Sequence, residues 1–283
     1  MRIAIASGKG GTGKTTVAVS LALSIAQDHK VRYFDCDVEA PNGHLFLNPA
    51  MDSTNPAAIP VPHILKEACT ACGKCVEVCQ FHALARIGKN IMVFPQLCHG
   101  CGSCTWNCPE GAIVEVPNQI GVLEGGKARE GVHYYRGVLT ISEPMPTPVI
   151  RQLKKWPAPV ANSIDIFDAP PGASCSVVET LRGADYVILV TEATPFGLHD
   201  LKQMAGIVRE MKIPAGVVIN RTNTHGSLIE DWCAEEQLKV ILRIPFERTI
   251  AAAIAKGLTL IEVHPYYQVL FQELFSMISQ EAG

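Results

Sequence analysis

The chain has 283 residues, 48% of them hydrophobic and 18% charged, which is typical of a globular protein with a sizeable core. Its formal net charge of −3 argues against a bulk positive field that would attract nucleic acid or an anionic membrane, and we expect neither as a partner. No apolar run approaches the roughly 20 residues that span a bilayer, and the first residues lack a signal-peptide pattern, so we expect a cytoplasmic protein.

Short apolar runs alternate with helix-length segments along much of the chain. Continuous hydrophobicity predicts strands buried on both faces at 2–6, 31–35, 164–168, 186–190, 215–219 and 239–244. Helices are predicted at 14–28, 198–211 and 226–236. Strands that alternate with helices indicate an α/β fold with a doubly wound, mostly parallel sheet.

The alternation stops after Asp35. Residues 41–62 are rich in Pro and Asn, a cysteine-rich block follows, and 120–141 is predicted to form β-hairpins before the α/β rhythm resumes near residue 164. One domain interrupted by another explains this order better than two domains in tandem, because the first strands would otherwise lack their sheet.

We therefore predict that residues 1–58 and 118–283 form the α/β domain and that residues 59–117 form an inserted small α+β domain. Near the end of the chain, apolar residues at helical spacing over 266–280 predict a packed C-terminal helix.

A glycine-rich loop follows the first predicted strand and opens the first predicted helix. It matches G-x-x-x-x-G-K-[ST] and consists of Gly8, Lys9, Gly10, Gly11, Thr12, Gly13, Lys14 and Thr15. Glycines let successive backbone N–H groups surround phosphates, and the helix N-terminus adds a favourable dipole. We predict that Lys14 neutralises β- and γ-phosphate charge, that Thr15 binds Mg²⁺ and that Thr16 reaches the α-phosphate of ATP or ADP.

Lys9 is an additional feature of this loop. A lysine at this position marks the deviant Walker A group, so the chain resembles the MinD and ParA ATPases, the nitrogenase iron protein and the scaffold ATPases of iron–sulfur assembly. The resemblance implies a dimer that sandwiches ATP, in which Lys9 reaches phosphates bound by the other subunit. That subunit would be a second copy of this chain or a related ATPase.

Two acidic segments also resemble this family. Residues 35–42 resemble switch I, where we expect Asp37 to orient the attacking water and contact the Mg²⁺ shell; Asp35 and Glu39 are weaker candidates. Residues 168–172 resemble the combined Walker B and switch II segment, so that Asp168 would bind Mg²⁺ through water and the Gly172 N–H would sense the γ-phosphate. The expected catalytic residues are thus Lys9, Lys14 and Asp37.

The resemblance extends to the base of the nucleotide. Asn220 and Arg221 follow a predicted strand at the position where the family reads adenine, and the segment at Pro245 and Phe246 commonly packs on the base. These residues and the acidic segments follow predicted strands, and doubly wound sheets bind ligands at the C-terminal ends of their strands.

Eight of the eleven cysteines lie between Cys69 and Cys108, and this clustering favours metal over disulfides. Two copies of C-x₂-C-x₂-C-x₃-C resemble the bacterial ferredoxin signature. The resemblance implies two [4Fe–4S] clusters, cluster I bound by Cys69, Cys72, Cys75 and Cys108, and cluster II bound by Cys79, Cys98, Cys101 and Cys104. Zinc is the alternative, but it needs only four ligands and would leave the third cysteine and the x₃-Cys of each repeat surplus.

The two copies differ in one respect, because Pro109 follows Cys108 whereas Gln80 follows Cys79. This difference puts the backbone geometry at Cys79 in some doubt without removing a ligand. His82 and His99 are interpreted as structural, since eight thiolates already complete both clusters.

Other residues near these motifs receive structural interpretations. The aromatic residues Phe81, Phe94 and Trp106 are expected to shield the clusters from water as local core. Cys36 and Cys175 adjoin the two switch segments and are interpreted as ordinary buried cysteines.

As a whole, the chain resembles MinD-superfamily P-loop ATPases with an inserted ferredoxin domain. The first hypothesis is that ATP binding and hydrolysis gate electron transfer through the clusters to a redox partner or acceptor protein. A second is an assembly factor for iron–sulfur or other metallo-cofactors, although no cysteine follows Cys233 to form a C-terminal C-x-x-C. A third is a MinD- or ParA-like spatial regulator with structural clusters.

Overall fold

The structure is a computed structural model that describes residues 1–222 and 228–281. Within these ranges the strands are β1 (Arg2–Ala6), β2 (Lys30–Asp35), β3 (Ala50–Ile64), β4 (Leu84–Ile87), β5 (Asn90–Val93), β6 (Ile113–Lys127), β7 (His133–Leu139), β8 (Ser163–Asp168), β9 (Tyr186–Glu192), β10 (Ala215–Thr222) and β11 (Lys239–Pro245). The helices are α1 (Lys14–Ile25), α2 (His44–Leu47), α3 (Lys74–Glu77), α4 (Ser103–Trp106), α5 (Pro146–Lys155), α6 (Cys175–Leu181), α7 (Pro195–Glu210), α8 (Leu228–Glu235), α9 (Arg248–Ile254), α10 (Leu260–Val263) and α11 (Tyr266–Glu281).

Nine strands form one sheet in the order β11-β10-β9-β1-β8-β2-β7-β6-β3. Every pair from β11 to β7 is parallel, and the last two pairs, β7 with β6 and β6 with β3, are antiparallel. All six predicted strands occur, and the predicted mostly parallel α/β sheet is confirmed.

Two apolar cores cover the two faces of this sheet. On one face α1 and α11 pack together, and the apolar side of α11 is buried at Tyr267, Phe271 and Leu274, which confirms the predicted C-terminal helix. On the other face lie α5, α6 and α7, with Val149, Leu181 and other apolar side chains buried. The central strands are buried on both sides, as their unbroken hydrophobicity predicts.

Helix boundaries differ from the predictions where local capping decides them. The first helix ends at Ile25 because the chain turns there into β2. The helix predicted at 198–211 begins earlier, at Pro195, because the Thr194 side chain accepts a hydrogen bond from the Gly197 N–H and caps α7. The start of the helix predicted at 226–236 lies outside the described residues. Helices α5 and α6 were not predicted from the sequence.

Strands β3 and β6 form a long antiparallel ribbon at one edge of the sheet. Their pairing runs without a break from Ala50–Lys127 to Ile64–Ile113, apart from bulges near Met51 and Ala57. Fifteen residues per strand at about 3.3 Å each give a ribbon of roughly 50 Å. Residues 120–141 do form the predicted hairpin, β6 and β7, but β7 also pairs in parallel with β2 and so belongs to the main sheet.

The ribbon ends in the segment 65–112, which we call the cysteine lobe. It contains α3, α4 and the β4–β5 hairpin, and a small core of its own forms around Cys75, Leu84, Cys104 and Ile113. The lobe is thus attached to the sheet by two paired strands. Among the described helices, none combines the length and hydropathy required to cross a bilayer.

Candidate functional site

The glycine-rich loop lies between β1 and α1, at the C-terminal edge of the parallel sheet. Gly11 and Gly13 have φ values of 79° and 96°, which glycine adopts without strain. Lys14 is buried at the first position of α1. The loop therefore has the backbone form and the helix N-terminus that its sequence predicts for phosphate binding.

Three polar side chains converge beneath this loop. The Thr15 hydroxyl donates to Asp168 Oδ2 over 2.6 Å, and the Tyr33 hydroxyl donates to the same oxygen over 2.8 Å. The other oxygen, Asp168 Oδ1, is buried and has no hydrogen-bond partner among residues 1–222 and 228–281. A buried carboxylate oxygen without a partner, next to a threonine hydroxyl, is a donor set that suits a divalent cation.

Asp35, at the end of β2, fixes the loop that begins the switch I segment. Its Oδ2 accepts hydrogen bonds from the backbone N–H groups of Asn42 (3.0 Å) and Gly43 (2.8 Å) and from the Tyr134 hydroxyl (3.0 Å). Its Oδ1 is buried and accepts no hydrogen bond from any residue that the structure describes. Asp35 was a weaker candidate than Asp37, and the structure gives it a large part in shaping this loop.

Burial raises the pKa of all three acidic groups in this region. The pKa of Asp35 rises to about 7 because it is buried and lies near Asp168. Burial likewise raises the pKa of Asp168 and of Asp37, while the Lys14 ammonium opposes both shifts. Three carboxyl groups thus lie close together, and the Lys14 ammonium offsets the charge of two of them. A bound cation would stabilise their ionised forms.

Lys9 makes an ion pair within its own chain. Its Nζ lies 3.1 Å from Glu192 Oε2, at the end of β9, and the Arg221 guanidinium donates to Glu192 Oε1 over 2.5 Å. The Glu192 side chain is only 14% exposed, whereas that of Lys9 is 35% exposed. The Glu192 carboxylate therefore contacts both Lys9 and Arg221, which are residues of the predicted site.

The predicted base-binding residues lie together. Asn220, Arg221, Pro245 and Phe246 line one open cleft of about 120 Å³ next to Gly13 and Thr16. The Asn220 amide also donates to the Thr12 carbonyl over 2.7 Å, which ties the strand β10 to the glycine-rich loop. Gly172, with φ of 91°, donates its N–H to the Ser7 carbonyl in this structure.

The cysteine lobe contains two cavities, each lined by four cysteines. One is lined by Cys69, Cys72, Cys75 and Cys108. The other is lined by Cys79, Cys98, Cys101 and Cys104. In each cavity three cysteines come from one repeat and the fourth comes from the other repeat.

Equivalent positions of the two repeats have the same backbone geometry. The Ala83 N–H donates to Cys79 Sγ and the Ala112 N–H donates to Cys108 Sγ, both over 3.3 Å. The intervening His82 and Gly111 both have positive φ, at 52° and 59°. Gln80 in place of a proline therefore leaves the turn at Cys79 like its counterpart.

The sulfurs are not drawn together around a point. Within residues 1–222 and 228–281, no three or more His, Cys, Asp or Glu side chains form a group that could hold a metal ion as they stand. A zinc site needs four ligands around one ion, with Zn–S distances of about 2.3 Å. The four cysteines of each cavity surround an open space and do not have this arrangement.

Some aromatic and cysteine predictions need correction. Trp106 is 90% exposed and so is not local core, whereas Phe81 is 39% exposed but lines the second cysteine cavity. Phe81 also stacks on His99. Cys36 is fully buried, and burial raises the pKa of its thiol, whereas Cys175 at the start of α6 is exposed rather than buried.

Tyr33, Tyr134 and Glu192 contribute to the site without having been predicted. Tyr33 lies in a segment that reads only as a buried strand, and Tyr134 lies in the stretch after the cysteine block. A buried tyrosine usually finds a hydrogen-bond partner, which is the signal that could have drawn attention to Tyr33. Glu192 follows directly on a buried strand end, as the other site residues do.

Comparisons with known proteins relate the whole chain to one family. The family model described as the CobQ/CobB/MinD/ParA nucleotide binding domain matches residues 3–261. The uncharacterized protein MJ0579 of Methanocaldococcus jannaschii is 29% identical over 91% of this chain and 90% of its own length. A second protein of that organism, MJ0578, is 26% identical over 99% of this chain and 97% of its own length.

Solved structures resemble the fold. The septum site-determining protein MinD of Pyrococcus horikoshii, complexed with Mg-ADP, has a TM-score of 0.59 at 18% identity, over 100% of this chain and 97% of that one. MinD in the MinC:MinD complex of Aquifex aeolicus has a TM-score of 0.58 at 16% identity, over 98% and 95%.

Proposed function

The chain belongs to the CobQ/CobB/MinD/ParA nucleotide-binding domain family, and from this premise we propose that it is an ATPase whose nucleotide-dependent dimer gates electron transfer through two [4Fe–4S] clusters to a partner protein. The proposal joins two sites, the nucleotide site at the edge of the sheet and the pair of cysteine cavities in the lobe. Its domains would be the ATPase, residues 1–58 and 118–283, and a ferredoxin-like insert, residues 59–117.

The donor set beneath the glycine-rich loop supports MgATP as the substrate. Lys14 and the loop N–H groups would bind the β- and γ-phosphates, and the cleft at Asn220 and Phe246 would take the base. Mg²⁺ would be bound by Thr15 and, through water, by Asp168, with Asp37 in its outer shell. The unpartnered Oδ1 of Asp168 fits that role. Mg²⁺ would neutralise charge that develops on the phosphates.

The observation that carries the electron-transfer half is the sorting of eight cysteines into two cavities of four. Each cavity takes its fourth cysteine from the other repeat, as in the ferredoxin arrangement. When bound, the clusters would supply one-electron transfer. The residues of the lobe would supply thiolates, backbone N–H donors to sulfur at Cys79, Cys98 and Cys108, and a small apolar core that excludes water.

The ribbon supports coupling between the two sites. Strand β6 pairs with β7, β7 pairs with β2, and β2 ends at Asp35, so the lobe and the switch I segment belong to one hydrogen-bonded sheet. A change of nucleotide state that moves switch I would therefore act on the strands that hold the lobe.

The ion pair of Lys9 with Glu192 bears on dimer formation. For Lys9 to reach phosphates of another subunit, it must leave Glu192, and a dianionic γ-phosphate offers it a stronger partner. We therefore expect a monomer without ATP and a dimer with ATP.

The test is anaerobic and uses the full-length chain with reconstituted clusters. Cluster potentials are measured by redox titration, and the oxidation rate of dithionite-reduced protein by benzyl viologen is measured, each without nucleotide, with ADP and with ATP. The proposal predicts that ATP shifts the potential or the rate in the wild type and not in Lys14→Ala. Equal values in all three nucleotide states would overturn the gating function, even if ATP is hydrolysed.

The fold likeness to MinD favours a second candidate, a spatial regulator with structural clusters. In the described structure the apolar side of α11 is buried against the core, so this helix does not present a free apolar face to a membrane. A fluorescent fusion distinguishes the candidates. Nucleotide-dependent patterning in cells, together with unchanged cluster potentials, would favour the spatial regulator.

A further inference from the structure

Strand β7 contacts the switch I segment at two points. Near the start of the strand, the Tyr134 hydroxyl donates to Asp35 Oδ2 over 3.0 Å. At its end, the Leu139 N–H donates to the Val38 carbonyl over 2.8 Å, and Gly137 packs so closely on Val38 that a β-carbon there would approach the valine to 2.7 Å. Both ends of β7 therefore limit where the residues between Asp35 and Val38 can lie.

Two buried tyrosines connect the acidic groups of the site. Tyr33 and Tyr134 stack with ring centroids 5.7 Å apart and an angle of 17° between the rings, and both are fully buried. Tyr33 donates to Asp168, and Tyr134 donates to Asp35. Tyr134 lies outside the glycine-rich loop and the two acidic segments, although the family model spans it.

The oxygen that Tyr134 contacts is the one that shapes the switch loop. Asp35 Oδ2 also accepts the N–H groups of Asn42 and Gly43, so one carboxylate oxygen closes the loop that contains Asp37. A hydroxyl donor to a buried carboxylate fixes its rotamer, since the alternative leaves a buried oxygen unpaired.

We propose that Tyr134 is a positioning residue for ATP hydrolysis, which acts through Asp35 to hold the switch I loop with Asp37 in its place beside the phosphate site. This inference rests on the proposed ATPase function. Tyr134 on β7 pairs with Gly126 on β6, the strand that leads from the lobe. Its side chain therefore links the β6–β7 pair to Asp35 at the candidate nucleotide site.

The strand offers a matched control. Tyr135 is the next residue and lies on the opposite face, where it stacks on Phe34 and meets Trp156 edge to face. No hydrogen bond of its hydroxyl occurs in the part of the chain that the structure describes. Tyr134→Phe and Tyr135→Phe thus delete the same atom from neighbouring positions, and only the first deletes a bond to Asp35.

The experiment measures kcat and KM for MgATP hydrolysis in the wild type and both variants, with thermal unfolding measured alongside. Tyr134→Phe is expected to lower kcat about tenfold and to change KM by less than about twofold, because phosphate binding by the glycine-rich loop is intact. Tyr135→Phe is expected to match the wild type. In an Asp35→Asn background, Tyr134→Phe should have little further effect, since both changes act on one bond.

Several outcomes would overturn the inference. If the wild type hydrolyses ATP and Tyr134→Phe has the same kcat as Tyr135→Phe, Tyr134 does not position the loop. If the effects of Tyr134→Phe and Asp35→Asn on kcat are fully additive, Tyr134 does not act through Asp35. A wild type without ATPase activity would instead refute the proposed function.

A second variant perturbs, from the loop, the Asp35 oxygen to which Tyr134 donates. A β-carbon at Gly43 would lie 2.8 Å from the Tyr33 ring and 3.2 Å from Asp35 Oδ2, so Gly43→Ala should also lower kcat more than KM changes. Should Tyr134→Phe not fold, this variant decides the question, and a wild-type kcat in Gly43→Ala would count against the inference.

Discussion

At the scale of single residues, buried charges of this sheet are satisfied by specific partners. Arg32 forms two hydrogen bonds with Asp165, of 2.7 and 2.5 Å, and a third of 2.8 Å with the Ala158 carbonyl. Ser163 donates to the same carboxylate. The side chains of Arg32 and Asp165 are 9% and 6% exposed, so removal of either one leaves the other buried charge without its counter-charge.

Arg32→Ala is expected to lower the free energy of unfolding by about 3–5 kcal/mol, because it leaves the buried Asp165 carboxylate without a counter-charge. Urea unfolding followed by circular dichroism measures the change. Arg209→Ala is the control, since its ion pair with Glu236 is exposed and should contribute less than about 1 kcal/mol. Equal losses in the two variants would contradict the assignment.

The pH dependence of stability should show a contribution from Glu262. Hydrogen bonds from Arg129 and from the Thr259 N–H and hydroxyl lower the pKa of Glu262 from 4.5 to about 2. Because the folded pKa is depressed, this contribution is present above pH 4.5 and is lost as the pH falls towards 2. The melting temperature of Glu262→Gln should therefore fall less steeply than that of the wild type between these values; parallel curves would disprove the contribution.

At the scale of secondary structure, α5 connects the sheet to the ribbon. Gln152 donates to the Ala58 carbonyl over 3.0 Å and accepts from the Ala58 N–H over 3.2 Å, beside the bulge in β3. On the same helix, Lys154 donates to carbonyls at the end of α6, including those of Glu179 and Thr180. The helix thus contacts both the element after switch II and the strand that leads to the lobe.

Gln152→Ala should loosen the ribbon where it passes α5. The Ala58 N–H loses its acceptor, so its hydrogen exchange is expected to become roughly fivefold faster, the equivalent of one hydrogen bond of about 1 kcal/mol. Lys155→Ala, an exposed position on the same helix, is the control and should leave exchange at Ala58 unchanged. Unaltered exchange in Gln152→Ala would show that the helix does not restrain the ribbon.

At the scale of the whole molecule, the lobe and the ATPase fold are joined by one antiparallel ribbon. The candidate nucleotide site lies at the C-terminal edge of the parallel strands, and the ribbon starts at the antiparallel edge of the same sheet. Each cavity takes three cysteines from one repeat and its fourth from the other repeat, which makes the lobe a single unit.

This sharing of cysteines between the repeats can be tested by pairs of substitutions. If the cavities hold the proposed clusters, Cys79→Ala combined with Cys98→Ala removes two cysteines from one cavity, so half of the bound iron should remain. Cys79→Ala combined with Cys69→Ala removes one ligand from each cavity, so most of the iron should be lost. Iron analysis and electron paramagnetic resonance of the reduced proteins measure the result, and the reverse pattern would indicate that each repeat binds its own cluster.

The parallel strands, the glycine-rich loop and the cysteine repeats were recognisable from the sequence alone. These features depend on local pattern: unbroken hydrophobicity gives buried strands, and the spacing of Gly8 to Thr15 and of the cysteines gives loops of known chemistry. They were predictable because each is complete within a few residues.

Contacts between residues that are far apart in the chain depend on the tertiary structure and were not predicted. The β3–β6 ribbon was not predicted, because β3 contains three prolines and is stabilised by a partner that lies beyond the cysteine lobe. Tyr134 reaches Asp35, and Glu192 reaches Lys9, only because strand order brings together segments far apart in the chain. Sheet topology, and not local propensity, sets such contacts.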